Sequence, residues 1–434
     1  MIKKLLIVFV CVFCLQTYAQ DGVASPYSYY GIGSLKFKGT VENNSMGSMG
    51  VYNDSIHMNL QNPATYGGQN LPIYNNESRP VIFTVGGSSN KTCLDSNSSS
   101  AETSTQTFDY LAVAFPLGKL GIGFGLLPYT SVGYKLDNFN SFGQITHRYR
   151  GSGGVNKTYF SAGYQFENGL SFGVTTDYNF GNIKNNTIVF PYNSDGTSLS
   201  YQTREDNRSD LSGLSFNFGA HYKKMVSDKL EIQTSLTFAP EANLKSINTR
   251  SFNAIIFDNA GNEVEVNTVD VDLDTKGLNE TNLTLPSNFT IGAGIGEPRK
   301  WFAGVDFKTQ NTSEFSNPLY NYENTTFENS NTIAIGGFYI PKYNSFSSYF
   351  KRMVYRAGMR FENTGLKINN EPIKEFGISF GLGLPVGNTF SNANLGFELG
   401  NRGTTDSNLI KENFFKVQLS LSLNDRWFQK KRYN

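Results

Sequence analysis

The sequence predicts an all-β protein: a transmembrane antiparallel β-barrel of about 14 strands with an N-terminal hatch. Three observations predict it. Apolar and polar residues alternate with period two from about residue 80 onward, the connections alternate between short and long, and the preceding region is Gly-rich without alternation. The chain has 434 residues, of which 17% are charged, and a formal net charge of +1. Without a long Lys/Arg run it lacks the clustered basic face that nucleic-acid binding requires.

The alternation is clearest in residues 170–181, where the even positions are apolar or Thr and the odd positions are small or polar. Successive side chains of a strand point to opposite faces, so such a segment has one apolar and one polar face. The predicted strands are 81–88, 105–115, 120–135, 155–166, 170–183, 211–223, 230–244, 287–295, 301–309, 332–339, 352–362, 375–384, 393–400 and 414–424. A β-sandwich would show the same alternation, so a second observation is needed.

Connection length supplies that observation. Short turns are predicted at 117–119, 167–169, 226–229, 296–300 and 385–388, and longer polar connections at 89–104, 137–154, 185–210, 248–280, 313–330 and 401–413. The connections 342–349 and 363–372 are exceptions in size. Short turns on one rim and long loops on the other are the arrangement of outer-membrane barrels. Because lipid offers no hydrogen-bond partners, a wall of strands must close on itself.

The barrel is therefore predicted over residues 80–424, in the bacterial outer membrane, with both termini and a tail at 425–434 in the periplasm. Residues 1–19 have the organisation of a signal peptide: a basic start, an apolar run from Leu5 to Leu15, and Ala19 before Gln20. A membrane anchor is the alternative, although the run is shorter than the about 20 residues of a spanning helix. Cleavage leaves Cys93 alone, which excludes an intramolecular disulfide and a Cys-based zinc site.

Residues 20–79 show no sustained alternation and cannot be barrel wall. The segments 27–33 (Tyr-Ser-Tyr-Tyr-Gly-Ile-Gly), 46–50 (Met-Gly-Ser-Met-Gly) and 59–64 (Asn-Leu-Gln-Asn-Pro-Ala) stand in this region, and 120–129 reads Leu-Gly-Ile-Gly-Phe-Gly-Leu-Leu-Pro-Tyr. Together they resemble the hatch and third strand of the FadL-like family of outer-membrane fatty-acid and hydrophobic-compound channels (OmpP1/FadL/TodX type). The resemblance implies that residues 20–79 form a hatch inside the barrel. The resemblance is closest to its Bacteroidota branch, which is related to barrel proteins of type IX secretion.

Pro128 lies within the third predicted strand. Proline removes a ladder hydrogen bond and is confined to edges, bulges and strand ends, so it marks a local break in a closed wall. In the family that the sequence resembles, the third strand is kinked and opens a side window to lipid, beside the Asn-Pro-Ala motif of the hatch. The resemblance thus implies a gate formed by Asn62, Pro63, Ala64, Leu127, Pro128 and Tyr129. The alternative is that Pro128 simply ends the membrane-embedded part of the strand.

No catalytic or metal-binding motif is recognisable. His57, His147 and His221 are not spaced for a shared metal, and there is no nucleophile elbow, phosphate loop or His-Glu-x-x-His motif. We therefore expect no enzymatic activity, no cofactor and no metal. His221 falls on the polar face of its strand, where a hydrogen-bonded lumen role is expected.

Ionisable residues occupy polar-face positions in several strands: Asp177, Glu231, Asp306, Lys308, Arg356, Arg360, Glu375, Glu398 and Lys416. Arg binds carboxylates bidentately, so Arg356 and Arg360 could hold an anionic head group. Alternatively, opposite charges pair across the lumen and with the hatch, and simply fill it.

Two functions fit these observations. The first is an outer-membrane channel for passive uptake of small hydrophobic molecules such as long-chain fatty acids, with lateral exit near the third strand. The second is an accessory, plug or shuttle subunit of a type IX protein-secretion translocon. The expected partners are outer-membrane lipid, a hydrophobic small molecule and, for the second function, a large secretion barrel, with no nucleic acid. A continuous apolar pocket supports the first function, and a lumen sealed by charged pairs supports the second.

Overall fold

The computed structural model describes residues 23–68, 81–314, 324–386 and 391–425. The predicted signal peptide and the tail beyond Asp425 lie outside these residues. The described chain is almost entirely β-strand. The strands are β1 (Ser34–Leu35), β2 (Val81–Asp95), β3 (Ser100–Leu117), β4 (Leu120–Pro128), β5 (Thr130–Phe139), β6 (Ile145–Gln165), β7 (Leu170–Val189), β8 (Gln202–Met225), β9 (Glu231–Ala239), β10 (Ala242–Phe257), β11 (Glu263–Asp270), β12 (Glu280–Leu285), β13 (Asn288–Glu297), β14 (Trp301–Gln310), β15 (Thr325–Phe327), β16 (Ser330–Tyr339), β17 (Val354–Ile368), β18 (Glu371–Val386), β19 (Ser391–Arg402) and β20 (Lys411–Asp425).

One short helix, α1 (Val41–Asn44), and five 3-10 turns at Pro26–Tyr29, Pro63–Tyr66, Thr312–Glu314, Phe350–Arg352 and Asp406–Asn408 complete the described secondary structure. Thr40 caps α1, its hydroxyl accepting from the Asn43 backbone N–H. Among the described residues, no helix is both long and apolar enough to cross a bilayer.

The strands close into a barrel of fourteen antiparallel passes. Three passes are each made of two consecutive strands, β4 with β5, β9 with β10, and β12 with β13, while β1, β11 and β15 lie outside the passes. The ring closes where β2 pairs with β20, from Val81 opposite Asp425 to Asp95 opposite Lys411. The predicted fold class, a 14-strand antiparallel barrel, is confirmed.

The wall has its apolar side outward. On β7, Phe172 and Tyr178 face out and are 50% and 46% exposed, whereas Ser171, Thr175 and Asp177 are buried on the lumen side. An outward apolar surface is stable only against lipid. The alternation in the sequence therefore marks a membrane wall, with its polar face toward the lumen.

The two rims differ as predicted, but the connections of the loop rim are shorter than predicted and its strands are longer. We call the rim with the connections at 118–119, 166–169 and 226–230 the turn rim, and the opposite one the loop rim. On the loop rim, most residues predicted as loops continue as strand: β6, β7 and β8 are 21, 20 and 24 residues long. Above the membrane both faces of a strand are solvated, so the ladder persists there without the apolar alternation that predicts it.

The two connections predicted as exceptions in size are exceptions in the structure, with different bounds. The one predicted at 363–372, on the loop rim, is a two-residue turn at Asn369 and Asn370, with φ of 49° and 69°. Asn tolerates positive φ at both centres of such a hairpin turn. On the turn rim, β16 and β17 are joined by the long connection 340–353.

The described part of the hatch, residues 23–68, runs through the lumen from the loop rim to the turn rim. The Ser25 hydroxyl donates to Glu412 at 2.5 Å, near the loop-rim end of β20. At the other end, Gly67 packs against the backbone of Tyr164 near the turn rim. Asp425 ends β20 at the turn rim, and the predicted location of both termini in the periplasm stays a prediction. The predicted domain boundaries at 19/20, 79/80 and 424/425 stay predictions as well.

Candidate ligand site and gate

The wall changes its pairing at Pro128. Before it, β4 pairs with β3 from Leu126 opposite Leu111 to Leu120 opposite Leu117. After it, β5 pairs with β6 and, on its other edge, with the hatch strand β1, where Ser34 lies opposite Ser131 and Leu35 opposite Thr130. Among the described residues, the loop-rim part of β3, residues 100–110, pairs only with β2. The hatch thus occupies the edge of β5 that a neighbouring wall strand would take.

The positions whose side chains face the lumen change from odd-numbered to even-numbered residues at this break. Gly121, Gly123 and Leu127 face inward on β4, whereas Val132 and Tyr134 are buried on β5. Pro128 and Tyr129 absorb the one-residue shift, as expected for a bulge in a wall strand. The chain continues as ordered strand beyond the proline.

Two more breaks have the same form. Pro240 separates β9 from β10, and Pro286 separates β12 from β13. On β9 the buried side chains Ser235 and Thr237 are odd-numbered, whereas on β10 Leu244 and Ser246 are even-numbered. The sequence analysis missed both breaks. The signal that could have found them is the same as for Pro128, namely a proline within an otherwise alternating run.

The three breaks line one lumen cavity of about 240 Å³. Its wall includes Leu127 and Tyr129 from the first break, and Pro240 and Pro286 from the other two. The hatch contributes the apolar side chains Leu35, Phe37 and Leu60, and the cations around it are Lys38, Lys157, Lys308 and Arg360. Three carboxylates, Asp177, Asp306 and Glu362, also line it, so the cavity is amphipathic and its four cations outnumber its carboxylates by one.

The predicted gate residues are brought only partly together. Asn62, Leu127, Tyr129 and Arg360 line the cavity, whereas Pro63, Ala64, Pro128 and Arg356 do not. Asn62 Oδ1 accepts from the Ala64 backbone N–H at 3.0 Å, and Asn62 Nδ2 donates to the Ala220 carbonyl at 3.0 Å. The Asn-Pro-Ala motif thus forms a capped turn attached to β8. A role in gating stays a prediction.

The Asn-Pro-Ala turn lies directly against glycines of the wall. A Cβ atom on Gly163 of β6 would lie 2.6 Å from the Pro63 carbonyl oxygen, and one on Gly173 of β7 would lie 2.5 Å from the Ala64 nitrogen. Either contact is too close for a side chain. Glycine inside a strand marks such a close backbone approach.

The opposite wall accommodates the hatch in the same way. A Cβ on Gly336 of β16 would lie 2.7 Å from the Met46 carbonyl carbon, and one on Gly358 of β17 would lie 2.7 Å from the Met46 carbonyl oxygen. The sequence analysis took such glycines only as part of the polar face. Their recurrence at lumen positions of neighbouring strands was the available signal for where the hatch docks.

A buried ion-pair cluster joins the hatch to this wall. Lys38 Nζ lies 2.7 Å from both Glu362 and Glu375, and Arg360 Nη2 lies 2.6 Å from Glu375 and 2.7 Å from Glu398. All five side chains are at most 22% exposed. Arg360 is thus surrounded by carboxylates, as the charge-pairing alternative predicts.

Arg356 lies elsewhere. It faces a separate turn-rim cavity of about 130 Å³ that also contains Asp54 and His57, and its guanidinium donates to Asn394 Oδ1 at 3.1 Å. Burial alone would raise the pKa of Asp54, but His57 at 2.9 Å and two backbone N–H donors hold this pKa well below its usual range. Arg356 and Arg360 therefore do not form one anion site.

Lys308 of β14 also lines the lumen cavity, but it belongs to none of these ion pairs. Lys157 pairs with Asp177 at 3.2 Å and lies 4.0 Å from the centre of the Tyr129 ring. Lys308 forms no ion pair within 4.0 Å with any residue that the structure describes. Within the same described ranges, no group of three or more His, Cys, Asp or Glu side chains is arranged to hold a metal ion. His221 Nε2 lies 3.2 Å from the Val51 carbonyl oxygen, as expected for a lumen residue.

A closed 14-pass wall, a hatch in the lumen and a third pass broken at Pro128 define an outer-membrane β-barrel of FadL-like fold. Solved structures with this fold include the Ralstonia pickettii toluene transporter TbuX, with 13% identity, a TM-score of 0.58, and 90% of this chain and 99% of that one covered. A Pseudomonas aeruginosa FadL homologue has 10% identity and a TM-score of 0.57, with coverage of 90% and 99%. The CymD monoaromatic hydrocarbon channel has 13% identity and a TM-score of 0.54, with coverage of 91% and 100%.

The family model described as BamG matches residues 1–434, and the chain belongs to the BamG family. No curated protein sequence matches it. The predicted FadL-like resemblance is confirmed for the fold. A place in a Bacteroidota branch related to type IX secretion stays a prediction.

Proposed function

We propose that the protein is a passive channel for small amphipathic molecules, which enter at the loop rim, occupy the lumen cavity and leave through the wall break at β5. The supporting observation is that one cavity touches both the hatch, at Leu35 and Asn62, and the break, at Leu127 and Tyr129. In this proposal the loop rim faces outward and the turn rim faces the periplasm, as is usual for such barrels.

The cavity volume limits the size of the molecule. A protein cavity of about 150 Å³ accommodates benzene, so the lumen cavity of about 240 Å³ has room for a substituted aromatic ring or a short acyl chain. A whole long-chain fatty acid is larger than this space and would enter only with displacement of the hatch. The titles of the CymD and TbuX structures name monoaromatic hydrocarbons and toluene for those proteins.

The charge in the cavity favours an anionic group on the molecule. Lys308 lines the cavity and has no carboxylate within ion-pair distance among the described residues. A buried cation without a partner is costly, and a ligand carboxylate would relieve that cost. We therefore propose aromatic or short-chain carboxylates as the substrate class, in preference to uncharged hydrocarbons.

The route out follows from the pairing of β1. This strand pairs with β5 at Ser34 opposite Ser131 and Leu35 opposite Thr130, and the hatch adds bonds from Lys36 to Tyr129 and from Ser25 and Ser28 to Gly133. Displacement of this part of the hatch from β5 would connect the cavity with the gap beside the loop-rim part of β3. None of these contacts is an ion pair, so the displacement separates no buried charges.

A disulfide lock tests the exit. In a Cys93→Ser background, Leu35→Cys with Thr130→Cys would join hatch to wall, and Thr84→Cys with Ser422→Cys would join β2 to β20 at the barrel seam as a matched control. We expect uptake of benzoate into proteoliposomes to fall at least tenfold in the oxidised lock, to recover with reductant, and to stay unchanged in the control. Uptake that is equal in oxidised and reduced lock would exclude exit at β5.

The same assay tests the substrate class. Lys308→Met should lower the uptake of benzoate roughly tenfold relative to toluene, because a single charge-assisted hydrogen bond of about 1.5 kcal/mol or more is lost. Lys91→Met, an exposed lysine of β2, is the control. An unchanged benzoate-to-toluene ratio in Lys308→Met would contradict a carboxylate substrate while leaving the exit route intact.

One observation supports the second function, an accessory or plug subunit of a secretion translocon. The turn-rim connection 340–353 presents Phe346 fully exposed and Phe350 71% exposed, while the lumen beside Lys38 and Arg360 is sealed by ion pairs. Exposed aromatic groups of this size are typical of docking surfaces. In mild detergent, a large barrel protein that co-purifies with wild type but not with Phe346→Ser/Phe350→Ser would favour this function. Phe142→Ser, on the loop rim, is the control.

A further inference from the structure

A second, larger recess of about 500 Å³ lies on the loop-rim extensions of β5, β6, β7, β8 and β10. It shares no lining residue with the lumen cavity. Its ionisable lining residues are the cations Lys135, Arg150, Lys184, Arg208 and Arg250 and the carboxylates Asp206 and Asp270. The recess is thus predominantly positive, whereas the chain as a whole is close to neutral.

Strand register places Lys135, Arg150, Lys184 and Arg208 of this recess on the lipid side of the wall, whereas Arg250, which pairs with the buried Asn207, faces the lumen. Tyr178 of β7 pairs with Leu214 of β8, and both side chains are exposed to lipid. Along β7 toward the loop rim, Phe180 pairs with Ser212, and Lys184 pairs with Arg208. All have the same parity and hence face the same way. At about 3.3 Å per residue on a strand tilted near 45°, Lys184 lies about 10 Å above Phe180. Because Phe180 is the last apolar residue on the lipid face of β7 before Lys184, this height corresponds to the headgroup level of the leaflet at the loop rim.

Most charges of the recess are already paired. On the lipid side, Arg150 Nη1 lies 2.6 Å from Glu263 and Arg208 binds Asp210 at 2.9 Å; on the lumen side, Arg250 Nε lies 3.2 Å from Glu205. Asp206 accepts from Asn186 at 2.7 Å and from Arg204 at 2.8 Å. These pairs hold the walls of the recess in place.

Two cations of the recess belong to none of these ion pairs. Neither Lys135 nor Lys184 has an ion pair within 4.0 Å in the described part of the chain, and both are exposed on the recess side. The Arg150–Glu263 pair joins β6 to β11, which are not neighbours in the sheet, so the strand extensions curl over the recess. The result is a concavity with two ammonium groups that form no ion pair with any described residue.

We propose that this recess binds the phosphorylated headgroup of a glycolipid in the membrane leaflet at the loop rim. Phosphate oxygens accept charge-assisted hydrogen bonds from Lys and Arg. Basic pockets at the membrane surface bind anionic lipid headgroups by this chemistry. The apolar side chains just below, Tyr178 and Leu214, would contact the acyl chains of the same lipid.

Native mass spectrometry of the purified protein tests this proposal. The probes are a bis-phosphorylated lipid A, the same glycolipid without its phosphates, and inorganic phosphate. We expect one lipid A per chain, bound at least tenfold more tightly than the dephosphorylated form, and no retention of inorganic phosphate. Lys135→Gln/Lys184→Gln should lose tenfold or more in lipid A affinity, because it removes the two ammonium groups proposed to bind the phosphates. The variant should still fold, because neither lysine forms an ion pair with a described residue.

The matched control is Lys91→Gln/Lys374→Gln, which removes two exposed lysines from the loop-rim ends of β2 and β18. It should bind lipid A like the wild type. Equal binding of lipid A and its dephosphorylated form would overturn the proposal, as would wild-type affinity in Lys135→Gln/Lys184→Gln. Retention of inorganic phosphate as tight as that of lipid A would overturn the lipid assignment. The unfolding temperature of each variant, compared with wild type, separates lost binding from lost structure.

Discussion

The hatch is held in two different ways on the two sides of the barrel. At the break, the hatch meets the wall through uncharged hydrogen bonds, namely the two residue pairs of β1 with β5 and the bonds of Lys36, Ser25 and Ser28 to Tyr129 and Gly133. On the opposite side, Lys38 is fixed between Glu362 and Glu375 at 2.7 Å, within a cluster that includes Arg360. Backbone pairing can be exchanged for another strand edge or for water, but separating buried charges leaves them uncompensated. The comparison suggests a hatch anchored on one side and releasable on the other.

The largest expected effect comes from breaking the anchor. Arg360→Met leaves Glu375 and Glu398 buried without their guanidinium and should destabilise the protein by about 3–5 kcal/mol. The measurement is the thermal unfolding midpoint in detergent. Lys91→Met, which breaks a solvent-exposed pair with Glu102, should leave the unfolding midpoint nearly unchanged, because water and salt screen such a pair. Similar losses in both variants would mean that the cluster is not an anchor.

A smaller effect is expected from crowding the hatch at the Asn-Pro-Ala turn. Gly173→Ala would place a methyl group against Pro63 and Ala64 and should cost about 1–3 kcal/mol. In Gly396→Ala the nearest atom is the side-chain hydroxyl of Ser45, at 2.9 Å, and no backbone atom is as close, so a milder effect is expected. Unfolding midpoints of both variants give the difference. If Gly173→Ala is the milder of the two, the turn is not packed as described.

The smallest expected effect concerns Lys36, whose backbone N–H donates to the Tyr129 carbonyl at 2.9 Å on the break side. Burial, assisted by the nearby charge of Lys416, lowers the pKa of Lys36 from 10.5 to about 8. The unfolded chain therefore binds more protons than the folded chain between these values, and stability rises with pH through this interval. From pH 7.5 to 9 we expect a gain of roughly 1–2 kcal/mol from this group.

Lys36→Met should be more stable than wild type at pH 7.5 and should lack this part of the pH dependence. Lys416→Met is a useful comparison, because it should reduce the dependence without abolishing it. A wild-type pH profile in Lys36→Met would show that the amine reaches water. The hatch would then be more accessible to water beside the wall break than its hydrogen bonds to β5 indicate.

The residues of the site show where sequence reasoning succeeds and where it does not. Pro128 could be predicted as a break, because a proline inside an alternating run has few places in a wall. Pro240 and Pro286 carry the same signal and were missed. Arg356 and Arg360 share a face of β17, yet four residues along a strand separate them by about 13 Å, so they face different cavities.

The sequence alone determined the barrel, its number of passes and the orientation of its faces, because period-two alternation records locally which side of each strand meets lipid. It also determined that a non-alternating segment precedes the wall. Only the tertiary structure decided how β1 completes the edge of β5, which carboxylates surround Arg360, and that Lys308, Lys135 and Lys184 form no ion pair with the described residues. Such pairings join residues from distant strands, and their geometry depends on where the wall breaks and curls, which no local pattern encodes.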